Sequence, residues 1–129
     1  MKKIRNYSAI TAHGDVPARK MVLDLMDRVL QEVDSYQRIR DVMHVEGNVL
    51  HVGVKSWNLE SKRNIYLLGA GKACNAMAQA VCDVLGERIT KGIICVKIKE
   101  EQDHYCNTDV YVGGHPLPNE EGMLAAQKM

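Results

Sequence analysis

The chain has 129 residues, 46% of them hydrophobic and 26% charged, which suits one compact domain and excludes a wholly disordered chain. Lys and Arg number 17 against 16 acids, a net charge of +1, so there is no basic excess for nucleic acid and no strongly charged patch for a membrane surface. No apolar run approaches the roughly 20 residues of a membrane-spanning helix.

The N-terminus, Met1-Lys2-Lys3-Ile4-Arg5, is basic but leads into no apolar stretch, so it is not a secretory signal, and residues 1–14 read as an arm or loop. Asp15 can cap a helix that tolerates Pro17 in its first turn. Val22, Leu25, Met26, Val29, Leu30 and Val33 recur at helical spacing and predict an amphipathic helix over about 16–33. A short helical piece is expected from Tyr36 to Asp41. Val42-Met43-His44-Val45 and Val49-Leu50-His51-Val52 flank Glu46-Gly47-Asn48, the pattern of a β-hairpin over about 42–54. His44 and His51 sit on it. Two facing histidines could bind a metal, but no third ligand is evident; partly exposed strand histidines are the simpler reading, and no metal ligand is assigned. Trp57 to Lys62 reads as a polar connection.

Asn64-Ile65-Tyr66-Leu67-Leu68 shows no alternation, which suits a strand buried on both faces in a parallel sheet. Gly69-Ala70-Gly71 breaks it, and Ala73, Met77, Ala80, Val81, Val84 and Leu85 mark a helix ending near Gly86. Gly92 to Ile98 is a second buried strand, Lys99 to Asn107 a charged loop, and Asp109 to Val112 a third strand. Gly113-Gly114-His115-Pro116-Leu117-Pro118 ends it, and Asn119 caps a last helix with Glu120 and Glu121 in its first turn. The fold class is α/β: a Rossmann-like parallel sheet flanked by helices, with a small N-terminal β-hairpin. Three parallel strands alone would leave an edge and a face uncovered. The chain therefore reads as the front part of a longer domain, with an apolar docking patch and a tendency to associate, homo-oligomers included. Cys74, Cys82, Cys95 and Cys106 match no zinc knuckle or CxxC pair and read as small buried thiols; a reduced, cytoplasmic setting is expected.

In open α/β sheets, ligands bind beyond the carboxyl ends of the strands, and two glycine loops leave those ends here. In the first, Gly69, Ala70 and Gly71 let backbone approach a phosphate, which the following helix N-terminus attracts. Lys72 sits at that positive end, where its charge opposes the dipole unless an anion lies between. The stretch is not a P-loop: Tyr66 stands at its first glycine and Ala73 at its Ser/Thr. It is a poor dinucleotide fingerprint, since Cys74 replaces the third glycine and the next strand ends in Lys97 and Lys99 instead of an acid. In the second loop, Gly113 and Gly114 precede His115, which can act as a general base or bind phosphate, or simply hydrogen-bond backbone; Pro116 and Pro118 stiffen the loop. Asn119 reads as a cap only.

Four stretches together resemble the glycerate 2-kinase family: Ile65-Tyr66-Leu67-Leu68-Gly69-Ala70-Gly71-Lys72-Ala73 with Met77-Ala78, Gly114-His115-Pro116-Leu117-Pro118-Asn119-Glu120-Glu121-Gly122, the hairpin Val45 to Gly53, and Thr11-Ala12-His13-Gly14-Asp15. The resemblance implies a kinase moving the γ-phosphoryl group of ATP, with Mg²⁺, to the 2-hydroxyl of D-glycerate. It implies two α/β domains with the active site between them, so this chain would hold only part of the site and would partner the remaining domain. It implies Lys72 as an active-site residue. Asn119 stands where Asp is common; both cap helices. Some relatives carry the name hydroxypyruvate reductase, which keeps an NAD(P)-dependent oxidoreductase as an alternative. A non-catalytic sugar-phosphate binding module is the other.

Overall fold

The computed structural model describes residues 3–99 and 105–129. The chain forms two compact units, Met1–Asp34 and Ser35–Met129. Among the described residues no helix is long and apolar enough to cross a membrane.

The first unit holds α1 (Tyr7–Ile10), a single turn inside the segment expected as an arm, and α2 (Val16–Glu32). Asp15 caps α2 by accepting from the Ala18 amide at 3.1 Å. The expected helix is present, but its apolar stripe stays on the surface: Val22, Leu25, Met26, Val29, Leu30 and Val33 are each at least 44% exposed. Leu23 and Asp27 are buried instead. The Asp27 carboxylate explains the choice of face. It accepts from the backbone N–H groups of Lys3 (2.7 Å) and Ile4 (3.0 Å) and from the Gln31 amide (2.7 Å), so the N-terminal arm is tied to this side of the helix.

The second unit opens with α3 (Ser35–Val42) and then an antiparallel sheet of β1 (Met43–Glu46), β2 (Val49–Val52) and β3 (Lys55–Asn58), in that order. Gly47, at φ 58°, makes the turn between β1 and β2. β3 corrects the sequence reading, which began a polar connection at Trp57. All four of its residues are exposed, so no apolar alternation marks it; backbone pairing to β2 alone makes it a strand.

The parallel sheet follows. It consists of β4 (Tyr66–Ala70), β5 (Lys91–Val96) and β6 (Thr108–Val112) in the order β4-β5-β6, with α4 (Cys74–Leu85) crossing from β4 to β5 and α5 (Glu120–Lys128) after β6. The expected parallel neighbours are all found, with two adjustments. β4 runs on through Gly69 and Ala70, and β5 stops at Val96, leaving Lys97 and Ile98 outside the ladder. β5, between two strands, is buried on both faces as its unbroken apolar run predicts. β4 is not: it alternates, with Tyr66 and Leu68 on an open face at 62% and 56% exposure. It is the edge strand, and α5 packs on β5 and β6. Residues 100–104, in the loop expected over 99–107, lie outside the described residues.

The core lies around α4. Cys74, Ala78 and Cys82 of this helix pack with Ile94 and Val96 of β5 and with Met43 of β1, while Val45, Leu50 and Val52 close in from the hairpin. α4 is thus covered by the parallel sheet on one side and by the antiparallel sheet on the other. Its run of small residues, Ala and Cys, is what lets both layers approach. Gly92 is equally constrained: a Cβ there would lie 2.0 Å from Thr108 Oγ1 on β6.

Candidate active site

The sheet brings both glycine loops to one edge, beyond the carboxyl ends of β4, β5 and β6. A shallow cavity of about 130 Å³ lies between them, lined by Gly71, Lys72, Lys97, Gly113, Gly114 and His115, with Ala70 at its side. A larger one of about 410 Å³ opens next to it, lined by Tyr36, Lys72, Asn75, Gln79, Lys97 and Ile98. Lys72 and Lys97 face both. Lys97 enters the sequence reading only as the wrong residue for a ribose-binding acid. Its place one residue past a central parallel strand is the signal that makes it a candidate.

The glycines divide by what a side chain would meet. Gly71 has φ 120°, and a Cβ there would meet nothing within 4 Å. It therefore makes the turn and leaves open space beside Lys72. Its amide donates to the Cys95 carbonyl at 3.0 Å, which fixes the turn to β5. Gly69 and Ala70 belong to β4, and Gly69 clears room for its own protein: a Cβ would lie 2.7 Å from Cys74 Sγ. Cys74, at the place of the third glycine in the dinucleotide fingerprint, thus fills the space where strand and helix would otherwise meet closely. Gly113 and Gly114 are likewise packed internally, against Cys95 Sγ (2.6 Å) and the Leu117 carbonyl (2.1 Å). Gly69→Ala is expected to destabilise the chain by about 1–3 kcal/mol, and Cys74→Ala in the same chain to recover most of that loss. Urea denaturation of the two single variants and the double variant measures this, and purely additive losses would refute it.

α4 starts at Cys74, so Lys72 lies just before the N-cap residue, Ala73, instead of in the first turn. Ala73 supplies no side-chain cap, which leaves the positive end of α4 uncovered by its own sequence. The larger cavity is built on ordered contacts. The Asn75 amide donates to the Ile98 carbonyl at 2.9 Å, holding the segment after β5 against α4. Tyr36 donates to Asp83 at 2.7 Å, and the Gln79 amide donates to the other oxygen of that carboxylate at 2.8 Å. The hydrogen bond to Asp83 pushes the Tyr36 phenol above its ordinary range.

The second loop is held by Asn119. Its Oδ1 accepts from the amides of Gly114 (2.8 Å) and Gly122 (2.9 Å), and its Nδ2 donates to the Val112 carbonyl (2.9 Å). Asn119 is therefore a cap and also the tie that folds the loop back, and Asp could not supply the bond to Val112. Glu121 completes the loop by accepting from the Val112 amide at 2.8 Å. His115 itself is exposed at the cavity rim. Asn119→Ala should cost about 1–2 kcal/mol, and Asn119→Asp less, because Asp keeps the cap. Thermal unfolding of both variants checks the order.

The donors facing these cavities are lysines, amides, a phenol and an imidazole. Such a set suits the oxygens of a phosphate or carboxylate. Among the described residues no carboxylate lines either cavity, so the lining residues named here do not by themselves make a Mg²⁺ site.

The four cysteines are free thiols. Burial pushes Cys74 up, helped by the nearby Cys95, and burial with the contact to Cys106 pushes Cys82 up to about 12. Both are raised, so the folded state keeps its protons longer than the unfolded chain. This contribution to stability is whole below pH 9 and is lost as pH rises from about 9 to 12. Native Cys74 and Cys82 should resist iodoacetamide at pH 8 and react on unfolding, read by mass spectrometry of the labelled peptides.

An α/β domain with glycine loops at the carboxyl edge of a parallel sheet belongs to the broad class of open α/β folds, which place ligand sites at that edge. The sequence family described as DUF4147, a domain of unknown function, matches residues 21–129. The chain belongs to this family, the N-terminal domain of glycerate 2-kinase family proteins. It is 31% identical over 65 residues to a D-glycerate 2-kinase of Thermotoga maritima, covering 50% of this chain and 16% of that protein. It is 26% identical over 110 residues to a glycerate 2-kinase of Pyrococcus horikoshii, covering 85% of this chain and 24% of that one. A crystal structure of a Pyrococcus horikoshii protein superposes with a TM-score of 0.70 at 25% identity, again over 85% of this chain and 24% of the other. The chain thus spans about a quarter or less of the length of these relatives.

Proposed function

We propose that this domain forms the N-terminal part of the active site of a glycerate 2-kinase, which transfers the γ-phosphoryl group of ATP to the 2-hydroxyl of D-glycerate and yields 2-phosphoglycerate. The observation that carries the reading is the convergence of Gly71-Lys72, Lys97 and the Gly113–His115 loop at one sheet edge. Phosphoryl transfer needs positioning and charge neutralisation more than covalent chemistry, and two lysines beside an uncapped helix N-terminus supply both. Lys72 binds an oxygen of the phosphate or of the glycerate carboxylate in the space left by Gly71. Lys97 holds the same anion from just beyond the next strand. His115, on the opposite loop, is placed to accept a proton from the substrate hydroxyl or to bind phosphate. Mg²⁺, which shields phosphate charge when bound, would take its carboxylate ligands from residues other than the lysines, amides, phenol and imidazole named here.

The test is an assay of the longer protein that carries this domain, with ATP and D-glycerate, and phosphorus NMR to place the phosphate on the 2- or 3-oxygen. Formation of 2-phosphoglycerate supports the proposal; an inactive protein that instead reduces hydroxypyruvate with NAD(P)H replaces it with the oxidoreductase. The redox reading has little support in the geometry, because β5 ends at Val96 and the described residues that follow it, Lys97 to Lys99, include no acid for a ribose.

A further inference from the structure

The outward face of the antiparallel sheet carries a cluster that the kinase reading does not use. His44 of β1 pairs in register with His51 of β2, and Glu46 lies two residues on from His44 and so on the same face. The two imidazoles stack with centroids 4.9 Å apart and planes 8° from parallel. Glu46 Oε1 lies 3.5 Å from His44 Nε2. One donor atom from each of the three residues falls within 4.8 Å of the other two.

We propose that His44, Glu46 and His51 bind a divalent cation of the borderline class, Zn²⁺ fitting best. Two neutral imidazoles and one carboxylate are a donor set that suits zinc and leaves a fourth position for water or an outside ligand; magnesium and calcium prefer all-oxygen sets. Zn–N bonds of 2.0–2.1 Å put the donors of a tetrahedral site roughly 3.3 Å apart, a small closing movement from the distances here. The side chains are free to make it, since His44 and Glu46 are largely exposed and neither ring forms a hydrogen bond among the described residues. The backbone beneath them is fixed. Met43, Val45, Leu50 and Val52, on the reverse face of the same two strands, are packed into the core. A slip of one residue between the strands would separate the histidines and also turn the apolar pair of the slipped strand, Leu50 and Val52 if β2 moves, out of the core, so the packing that folds the hairpin also sets the site. None of the three residues lines either anion cavity, so the cation site and the kinase reading stand or fall separately. Binding would clamp β1 to β2.

The experiment titrates the reduced chain with Zn²⁺ in competition with a chelating dye, and follows the histidine ring signals by NMR. The expected result is one saturable site, with shifts at His44 and His51 and none at His13 or His115. His44→Ala and His51→Ala should each weaken binding roughly tenfold or more, with Glu46→Gln affected less. The ring shifts are read on the unaltered chain, so they test the proposal even if a variant misfolds. No saturable binding, shifts at other histidines, or equal affinity in a folded His44→Ala/His51→Ala chain would overturn it.

Discussion

In the protein that carries this domain, Lys72→Ala is expected to lower kcat/KM for glycerate phosphorylation roughly 100-fold or more, about 2.7 kcal/mol of lost transition-state stabilisation. The lysine faces both cavities at the sheet edge, beside the open space left by Gly71 and next to a helix end that no side chain caps. Its charge opposes the α4 dipole, so removing it should leave stability unchanged or raise it by a few tenths of a kcal/mol. That combination, a large kinetic loss with no fall in Tm, separates an anion-binding lysine from a structural one. Lys97→Ala should follow the same pattern with a smaller loss. His115→Ala should lose as much as Lys72→Ala if it takes the hydroxyl proton, and only a few-fold if it shapes the loop. Steady-state kinetics with circular dichroism as a folding control measures all three. A folded Lys72→Ala enzyme turning over at the wild-type rate would reduce the Gly-Ala-Gly-Lys stretch to a strand end and a tight turn.

The largest stability effect is expected at Ile94, where truncation to alanine should cost about 3–4 kcal/mol. Ile94 is fully buried on the central strand and packs into the cluster around α4. A cavity there cannot collapse easily, because the strand is held on both sides by parallel pairing. Leu68→Ala, one strand over on the open face of β4, should change stability by less than about 0.5 kcal/mol in this chain. Urea denaturation midpoints of the two variants give the comparison. A cost at Leu68 comparable to that at Ile94 would mean the open face is covered in solution, by a second copy or by chain from elsewhere.

The elements and their order were legible wherever local chemistry forces them. The Asp15 and Asn119 caps, the apolar run of β5, the turn at Gly47 and the helical spacing after Lys72 each follow from short-range sterics and hydrogen bonding, and each appears in the structure. So does the parallel sheet, since strands alternating with a crossover helix leave few other arrangements. The stretches carrying the resemblance to glycerate 2-kinases lie largely within residues 21–129, which the matching domain family covers.

Tertiary structure decided what periodicity cannot encode. Which face of α2 is buried depended on the Asp27 carboxylate meeting the amides of Lys3 and Ile4, a contact across more than twenty residues. β3 has no apolar pattern, and only pairing with β2 reveals it. The unbroken run of β4 resembles that of β5, yet its place at the sheet edge exposes Tyr66 and Leu68. In the candidate site, four glycines look alike in sequence, but only the space around them shows that Gly71 borders open space while Gly69, Gly113 and Gly114 make room for Cys74, Cys95 and the Leu117 carbonyl. Lys97 joins Lys72, and Glu46 joins His44 and His51, for the same reason: chain direction and strand register set which side chains share a surface, and register is fixed by packing on the opposite face.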